Sequence, residues 1–307
     1  MATWPLPPLP GRFFFCPYKS RVFNKSHPLK PAYGLHYFYM KKWLLLLTSS
    51  ILLYWPTMTF AFRVIIDPGH GGRDHGATYK NLRESKITLQ VSKKLANYLN
   101  KDPRFKAFLT RTRDSFVSLS KRAQIATQLK GDLFLSIHVN ASQEKAAKGG
   151  EIYFQNQLPA DEESMFLASI ENNGLQHGQH LPLVPLPSSL KPDVQNIIQD
   201  LYRTSRLFLS AELAKSIFKT WKGSRKSTKY TIHQAPFYVI SHVPMPSVLI
   251  ELGFLSNPKE AKKLSKTSYQ TKLAQGLYEG IVNFKEVMDS SQKKQYITSN
   301  ANPKKTQ

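Results

Sequence analysis

Between Arg63 and Phe284, short apolar and β-branched runs alternate with segments whose apolar residues recur every three to four positions. Strand-then-helix alternation in one chain constrains the fold more than any other feature, because it calls for a layered α/β architecture. Strands are expected at Arg63–Asp67, Lys106–Thr110, Asp132–His138, Gly150–Phe154, Phe237–Ile240 and Val248–Glu251. Helices are expected where Ile87, Val91, Leu95 and Leu99 recur, where Leu119, Ala123, Ala126 and Leu129 recur, and from Tyr269 to Phe284. One stretch breaks the rhythm. Leu158–Lys191 holds a helix at Ala160–Asn172 with an acidic first turn, then a proline- and leucine-rich run, and a longer helical pattern follows from Asp193 to Trp221. It reads as an insertion between two strands, not as another strand–helix unit. Beyond Met288 the chain is mostly Lys, Ser, Asn and Gln and reads as a mobile basic tail, 288–307.

The beginning of the chain reads differently. Residues 1–39 hold seven prolines and many aromatics without periodicity. Met40-Lys41-Lys42-Trp43 then precedes an apolar run from Leu44 to Trp55, and the stretch closes on Thr59-Phe60-Ala61. A basic start, a short apolar core and a small-x-small ending describe a secretory signal peptide. The core, about a dozen residues, is short for a bilayer span. Residues 40–61 are therefore expected to be a cleaved leader, with Met40 the true start and 1–39 a mis-assigned upstream extension. The alternative is a genuine extension ending in a membrane anchor. Cleavage after Ala61 removes seven of the 43 basic residues, none of the 20 acidic ones, and Cys16, the single cysteine. The exported chain is then basic and thiol-free, which excludes a cysteine nucleophile and favours anionic polymers as partners. Export argues against nucleic acid, and a periplasmic monomer is expected.

Four groups carry chemistry. His70 lies in Asp67-Pro-Gly-His-Gly-Gly72 directly after the first strand, and His138 ends another in Ser136-Ile-His-Val-Asn140. Glu84 opens the helix after the first loop, and Glu251 ends the apolar run Val248-Leu-Ile-Glu251. Each also has an ordinary reading: a loop histidine, a helix N-terminal acid, a solvated strand end. Ligands in open α/β sheets bind at the carboxyl ends of strands, and two histidines with one carboxylate form a catalytic zinc set that leaves a fourth position for water. A second carboxylate can then serve as general base.

The ordered motifs carry a resemblance. Asp67-Pro-Gly-His-Gly-Gly-Arg-Asp74, Glu84, Leu109-Thr-Arg-Thr-Arg-Asp114, Leu119 with Arg122, Ser136-Ile-His-Val-Asn-Ala141, Gln234-Ala-Pro-Phe237 and Met245-Pro-Ser-Val-Leu-Ile-Glu-Leu-Gly-Phe-Leu-Ser-Asn257 span Arg63 to Phe284. With them the chain resembles the zinc-dependent N-acetylmuramoyl-L-alanine amidases of the type-3 family, bacterial cell-wall hydrolases. The resemblance implies a twisted, mostly parallel or mixed sheet flanked by helices, forming one catalytic domain over 62–287. It implies one Zn2+ held by His70, Glu84 and His138, with Glu251 as the catalytic carboxylate. Asn140 and Arg113, inside the matching stretches, are expected near the metal or the substrate. The implied reaction is hydrolysis of the amide joining N-acetylmuramic acid to L-alanine in peptidoglycan or its precursor, in wall remodelling or daughter-cell separation. His75 departs from the pattern, standing where the family often has proline. In some members a helix inserted at this point covers the zinc cleft until an activator protein displaces it. The corresponding stretch here, within 158–191, carries Asp161, Glu162, Glu163 and Glu171, and Glu171 is the acid expected to take the open metal position.

Rival readings remain. A metallopeptidase is disfavoured because no His-Glu-x-x-His occurs. A penicillin-sensitive serine carboxypeptidase would use Ser-x-x-Lys, best placed at Ser118-Leu-Ser-Lys121, although seven serines satisfy that pattern. A non-catalytic wall-binding protein would lack a ligand or the base, and all four groups are present.

Overall fold

The computed structural model describes residues 61–155, 161–172, 186–187, 189–221 and 231–301, and residues 59–307 form one compact unit. The segment read as a leader, the upstream extension and most of the proline-rich run after Asn172 lie outside the described residues. In chain order the elements are β1 (Phe62–Pro68), β2 (Thr78–Tyr79), β3 (Leu82–Arg83), α1 (Glu84–Lys101), β4 (Phe105–Leu109), α2 (Leu119–Gln128), β5 (Leu133–Asn140), β6 (Glu151–Phe154), α3 (Glu162–Glu171), α4 (Pro192–Thr220), β7 (Thr231–Gln234), α5 (Tyr238–Ser241), β8 (Ser247–Phe254), α6 (Pro258–Leu264) and α7 (Thr267–Ala301).

Six strands form a mixed sheet in the order β4-β1-β5-β8-β6-β7. β4, β1, β5 and β8 run parallel; β6 runs antiparallel to β8 and parallel to β7. The α/β fold expected from the alternation is therefore present. Strand alternation divides the core in two. Val64, Ile66, Leu133 and Leu135 join the layer under α1, α4 and α7, while Ile65, Phe134 and Leu249 point to the other layer with Ala123 of α2 and Val239 of α5. Every residue of β5 and β8 is buried, and these central strands are mostly apolar, with Ser136, His138, Asn140, Ser247 and Glu251 as their buried polar residues.

Three expectations are corrected. The run Phe237–Ile240 is a helical turn, α5, and the neighbouring strand is β7. Pro236 and Pro244 bracket a run too short for periodicity to decide. Arg206 donates to the carbonyls of Ile240 and Val243 at 3.1 and 3.0 Å, satisfying the end of that turn. Second, the stretch between β6 and β7 is not simply an insertion. Two parallel neighbours need a crossover, and α4 supplies it, lying against α7 and β6. Among the described residues, α3 is the element additional to that unit. Third, the stretch read as a tail is helical as far as it is described, because α7 continues to Ala301. No glycine or proline follows Gly280 until Pro303, so no residue breaks the helix. α6 was not foreseen, although Asn257 caps it through Lys259 N and Pro258 occupies its first turn.

Candidate active site

The site lies where β1, β5 and β8 end side by side. β1 delivers His70 two residues past its end; His138 lies on β5, opposite Glu251 of β8 in the strand register. Glu84 is the first residue of α1. The loop carrying His70 is tightly built. A Cβ on Gly69 would lie 2.6 Å from His138 ring atoms, and one on Gly76 would lie 2.4 Å from Glu84 Oε2 and 2.5 Å from His70 Cδ2. Only glycine lets the backbone approach these side chains so closely.

Two buried arginines fix the loop from below. Arg111 donates from Nε to Pro68 O at 2.9 Å and from its terminal nitrogen to Gly69 O at 2.7 Å and Ser85 O at 2.8 Å. Arg122 donates to Pro68 O at 2.6 Å, His70 O at 2.8 Å and Asp67 Oδ1 at 2.8 Å. Burial raises the Asp67 carboxyl, but Arg122 and the Thr110 hydroxyl outweigh it and hold it below the usual range. Burial and the Arg122 charge bring Arg111 down to about 10. Sequence reasoning assigned neither arginine a place at the site. It pointed instead to Arg113, whose side chain is exposed and whose carbonyl accepts from Arg111 at 3.2 Å. Both arginines lie beyond the end of β4, where the turning chain buries Arg111 and leaves Arg113 at the surface.

His70, Glu84 and His138 each offer one atom to a common point, all within 4.8 Å of one another, and the trio could hold a metal ion. Glu84 Oε1 lies 3.2 Å from His70 Nε2 and 3.1 Å from His138 Nδ1. Glu171, at the end of α3, brings Oε2 to 3.4 and 3.2 Å from the same two nitrogens. A tetrahedron with bonds of about 2.0 Å has edges of about 3.3 Å, so these separations fit four ligands around one small cation. Hydrogen bonding does not explain the cluster, since His70 Nε2 and His138 Nδ1 are buried without a hydrogen-bond partner. The ligating side chains are fastened: His70 Nδ1 meets Asp74 at 2.9 Å, while Glu84 accepts from Val139 N at Oε1 and from Ala77 N at Oε2, at 2.8 Å each. A histidine ligand backed by a carboxylate is the common support of a metal site, and Asp74 had not been singled out from sequence.

The field at this point is negative. Burial lowers both imidazoles, yet Glu84 and the neighbouring acids overcome it, raising His70 strongly and His138 to about 10. A divalent cation would displace protons held by that field. Glu251 is 1% exposed, and neither of its oxygens has a hydrogen-bond partner. Burial, reinforced by Glu84, Glu171 and Glu151 against the pull of His138, raises its carboxyl well above the ordinary value. Asn140 lines the cleft and donates to Glu151 Oε2 at 3.0 Å; Tyr153 OH donates to the same oxygen at 2.8 Å.

The cleft has a volume of about 890 Å³, and α3 forms one wall through Leu167, Ile170 and Glu171. Asp161 caps α3 by accepting from Ser164 N at 2.8 Å. At the other end Asn172 Nδ2 donates to Pro236 O at 2.9 Å, and Asn172 Oδ1 accepts from Tyr238 N at 2.8 Å. Ser118 is a helix cap that accepts from Lys121 N at 3.4 Å, whereas Lys121 Nζ donates to Gln124 Oε1 at 2.9 Å.

Residues 64–283 match the family described as N-acetylmuramoyl-L-alanine amidase, Amidase_3. The chain belongs to that family. A relative from Buchnera aphidicola (subspecies Acyrthosiphon pisum, strain APS) is 32% identical over 238 residues, covering 74% of this chain and 96% of its own length. The N-acetylmuramoyl-L-alanine amidase AmiA of Salmonella typhimurium is 31% identical over 225 residues, covering 72% of this chain and 75% of AmiA. The crystal structure of an N-acetylmuramoyl-L-alanine amidase from Clostridium difficile 630 superposes with a TM-score of 0.55 at 29% identity, covering 74% of this chain and 97% of that one. The chain is thus a peptidoglycan amidase, a hydrolase, and the cluster at the sheet edge lies within the matched residues.

Proposed function

We propose that this amidase is zinc-dependent, exported to the periplasm, and held closed at rest by Glu171. It hydrolyses the amide between the lactyl group of N-acetylmuramic acid and L-alanine, in wall remodelling or daughter-cell separation. The observation that carries this reading is the convergence of His70 Nε2, Glu84 Oε1, His138 Nδ1 and Glu171 Oε2, with each nitrogen 3.1–3.4 Å from both carboxylate oxygens. Two imidazoles with hard carboxylate oxygens and no thiolate are a zinc donor set. When bound, zinc supplies Lewis acidity, which acidifies a water and polarises the amide carbonyl.

The chain's own residues then divide the work. Asp74 holds the His70 tautomer that presents Nε2 to the common point. Glu251, buried and without hydrogen bonds, takes the proton of the attacking water as its oxygen joins the carbonyl carbon. As the C–N bond breaks, Glu251 returns that proton to the leaving nitrogen, giving a lactyl carboxylate and a free L-alanyl amine. Glu171 occupies the position the water needs, so α3 must move before turnover. A protein activator that displaces α3 fits this requirement. Export rests on the leader-like stretch Met40–Ala61; among the described residues no helix is long and apolar enough to cross a membrane.

The test is mass spectrometry of a muropeptide digest with and without chelator, alongside metal analysis and N-terminal sequencing of the exported chain. Glycan strands freed of stem peptide, about one zinc per chain, chelator-sensitive activity and an N terminus at or near Phe62 are expected. Cleavage elsewhere in the stem, or activity without metal, would refute the reading.

A further inference from the structure

The turn that follows His70 carries a cation, Arg73, with no acidic partner among the described residues. Gly71 and Asp74 close it by two backbone hydrogen bonds, Gly71 N to Asp74 O at 2.8 Å and Asp74 N to Gly71 O at 3.3 Å, with Arg73 at the tip. The turn is clamped to the 114–116 loop, because Gly72 N donates to Asp114 Oδ1 at 2.9 Å and a Cβ on Gly72 would lie 2.6 Å from Phe116 N. Arg73 lays its guanidinium over the Phe116 ring at 4.4 Å from the centroid. That contact holds the guanidinium against the ring and leaves N–H groups for a further partner. Among the described residues no carboxylate lies within ion-pair distance of Arg73, whereas the acids around it are already engaged: Asp74 by His70, Glu84 by two backbone N–H groups, and Asp114 by Gly72. Arg73 and His75 both line the metal cleft. His75 adds a buried Nδ1 without a hydrogen-bond partner in the same wall, a polar atom that is costly to leave unsatisfied.

We propose that Arg73, with His75 beside it, is a carboxylate-binding subsite that selects stem peptides bearing free acid groups on the leaving side of the cut bond. The proposal rests on the amidase reading above. A planar guanidinium held on a rigid turn grips a carboxylate through two parallel N–H bonds, and its orientation is set before the substrate arrives. Selection then acts on the peptide, not on the glycan. It also gives His75 a use that a proline at that position could not supply, since proline offers no side-chain polar atom.

The test compares kcat/KM for a disaccharide-tripeptide whose stem carboxylates are free with kcat/KM for the same compound carrying carboxamides instead. The full chain is used in wild-type and Glu171→Ala forms, each with and without Arg73→Gln. A preference for the free acids of about tenfold is expected, carried mainly by KM, and Arg73→Gln should bring the ratio close to one. Arg73→Lys should keep part of the preference, because an ammonium attracts an anion without the paired grip. A wild-type ratio near one, or a ratio unchanged by Arg73→Gln, overturns the subsite. Cleavage of neither compound by either form overturns the amidase reading instead. Because each ratio is internal to one protein sample, a loss of folded enzyme cannot imitate the effect.

Discussion

The two walls of the metal cleft are built by different rules. His70, Glu84 and His138 stand on the sheet edge, backed by glycine contacts, backbone N–H donors and two buried arginines. Glu171 reaches the same point from α3, where Leu167 and Ala168 are buried but Met165, Phe166 and Ile170 are 46%, 62% and 49% exposed. Burying one leucine contributes roughly 1.5–3 kcal/mol, and the Asn172 clasp adds two hydrogen bonds of about 1 kcal/mol each. Those sums can be reversed by a binding partner, whereas moving His138 would require tearing β5 from β1 and β8. In the proposed mechanism three donors are thus fixed and the fourth is detachable, so that one metal point would serve both a resting and a working state.

Experiments that break the permanent wall should have the largest effects. His138→Ala is expected to lose both bound metal and activity, read by metal analysis and a wall-digestion assay; a variant that retains both would remove His138 from the site. Next in size is Glu251→Gln, which should keep the metal but lose a factor of ~10²–10⁴ in rate, as expected for removal of a general base. Normal turnover in that variant would assign the proton transfer to another group. Asp74→Asn should weaken metal affinity by roughly 10–100-fold through loss of the support behind His70, measured by competition with a chromophoric chelator. The detachable wall should respond in the opposite sense and by less. Asn172→Ala removes the clasp of α3 without touching a ligand, so basal activity should rise, by about fivefold or more if it weakens closure by 1 kcal/mol.

How much of this was legible in the sequence follows the same division. The permanent wall was written locally: glycines around His70, apolar runs ending at His138 and Glu251, and Glu84 at a helix start are all short-range patterns. Their support was harder to see. Arg111 and Arg122 are separated from the Pro68, Gly69 and His70 carbonyls they hold by more than forty residues, and no local pattern distinguishes Arg111 from Arg113 two positions away. Asp74 was within reach, lying four residues after His70 across a Gly-Gly-Arg turn. Asn172 was less so, because its partners Pro236 and Tyr238 come after the whole of α4. The helical turn at Tyr238–Ser241 was misread because a four-residue apolar run has no readable period; its conformation is decided by Arg206 from a distant helix.

The contrast between fixed and detachable donors is tested most directly by the basal amidase rate of zinc-loaded Glu171→Ala relative to zinc-loaded wild type on purified peptidoglycan. Glu171 Oε2 lies 3.2 Å from His138 Nδ1, where the proposed mechanism puts the attacking water. Removing that carboxylate should raise the rate while leaving the cleaved bond and the zinc content unchanged. A folded variant carrying the same zinc, with a rate equal to or below wild type, would contradict closure by Glu171 and leave α3 as an ordinary wall of a constitutively open enzyme.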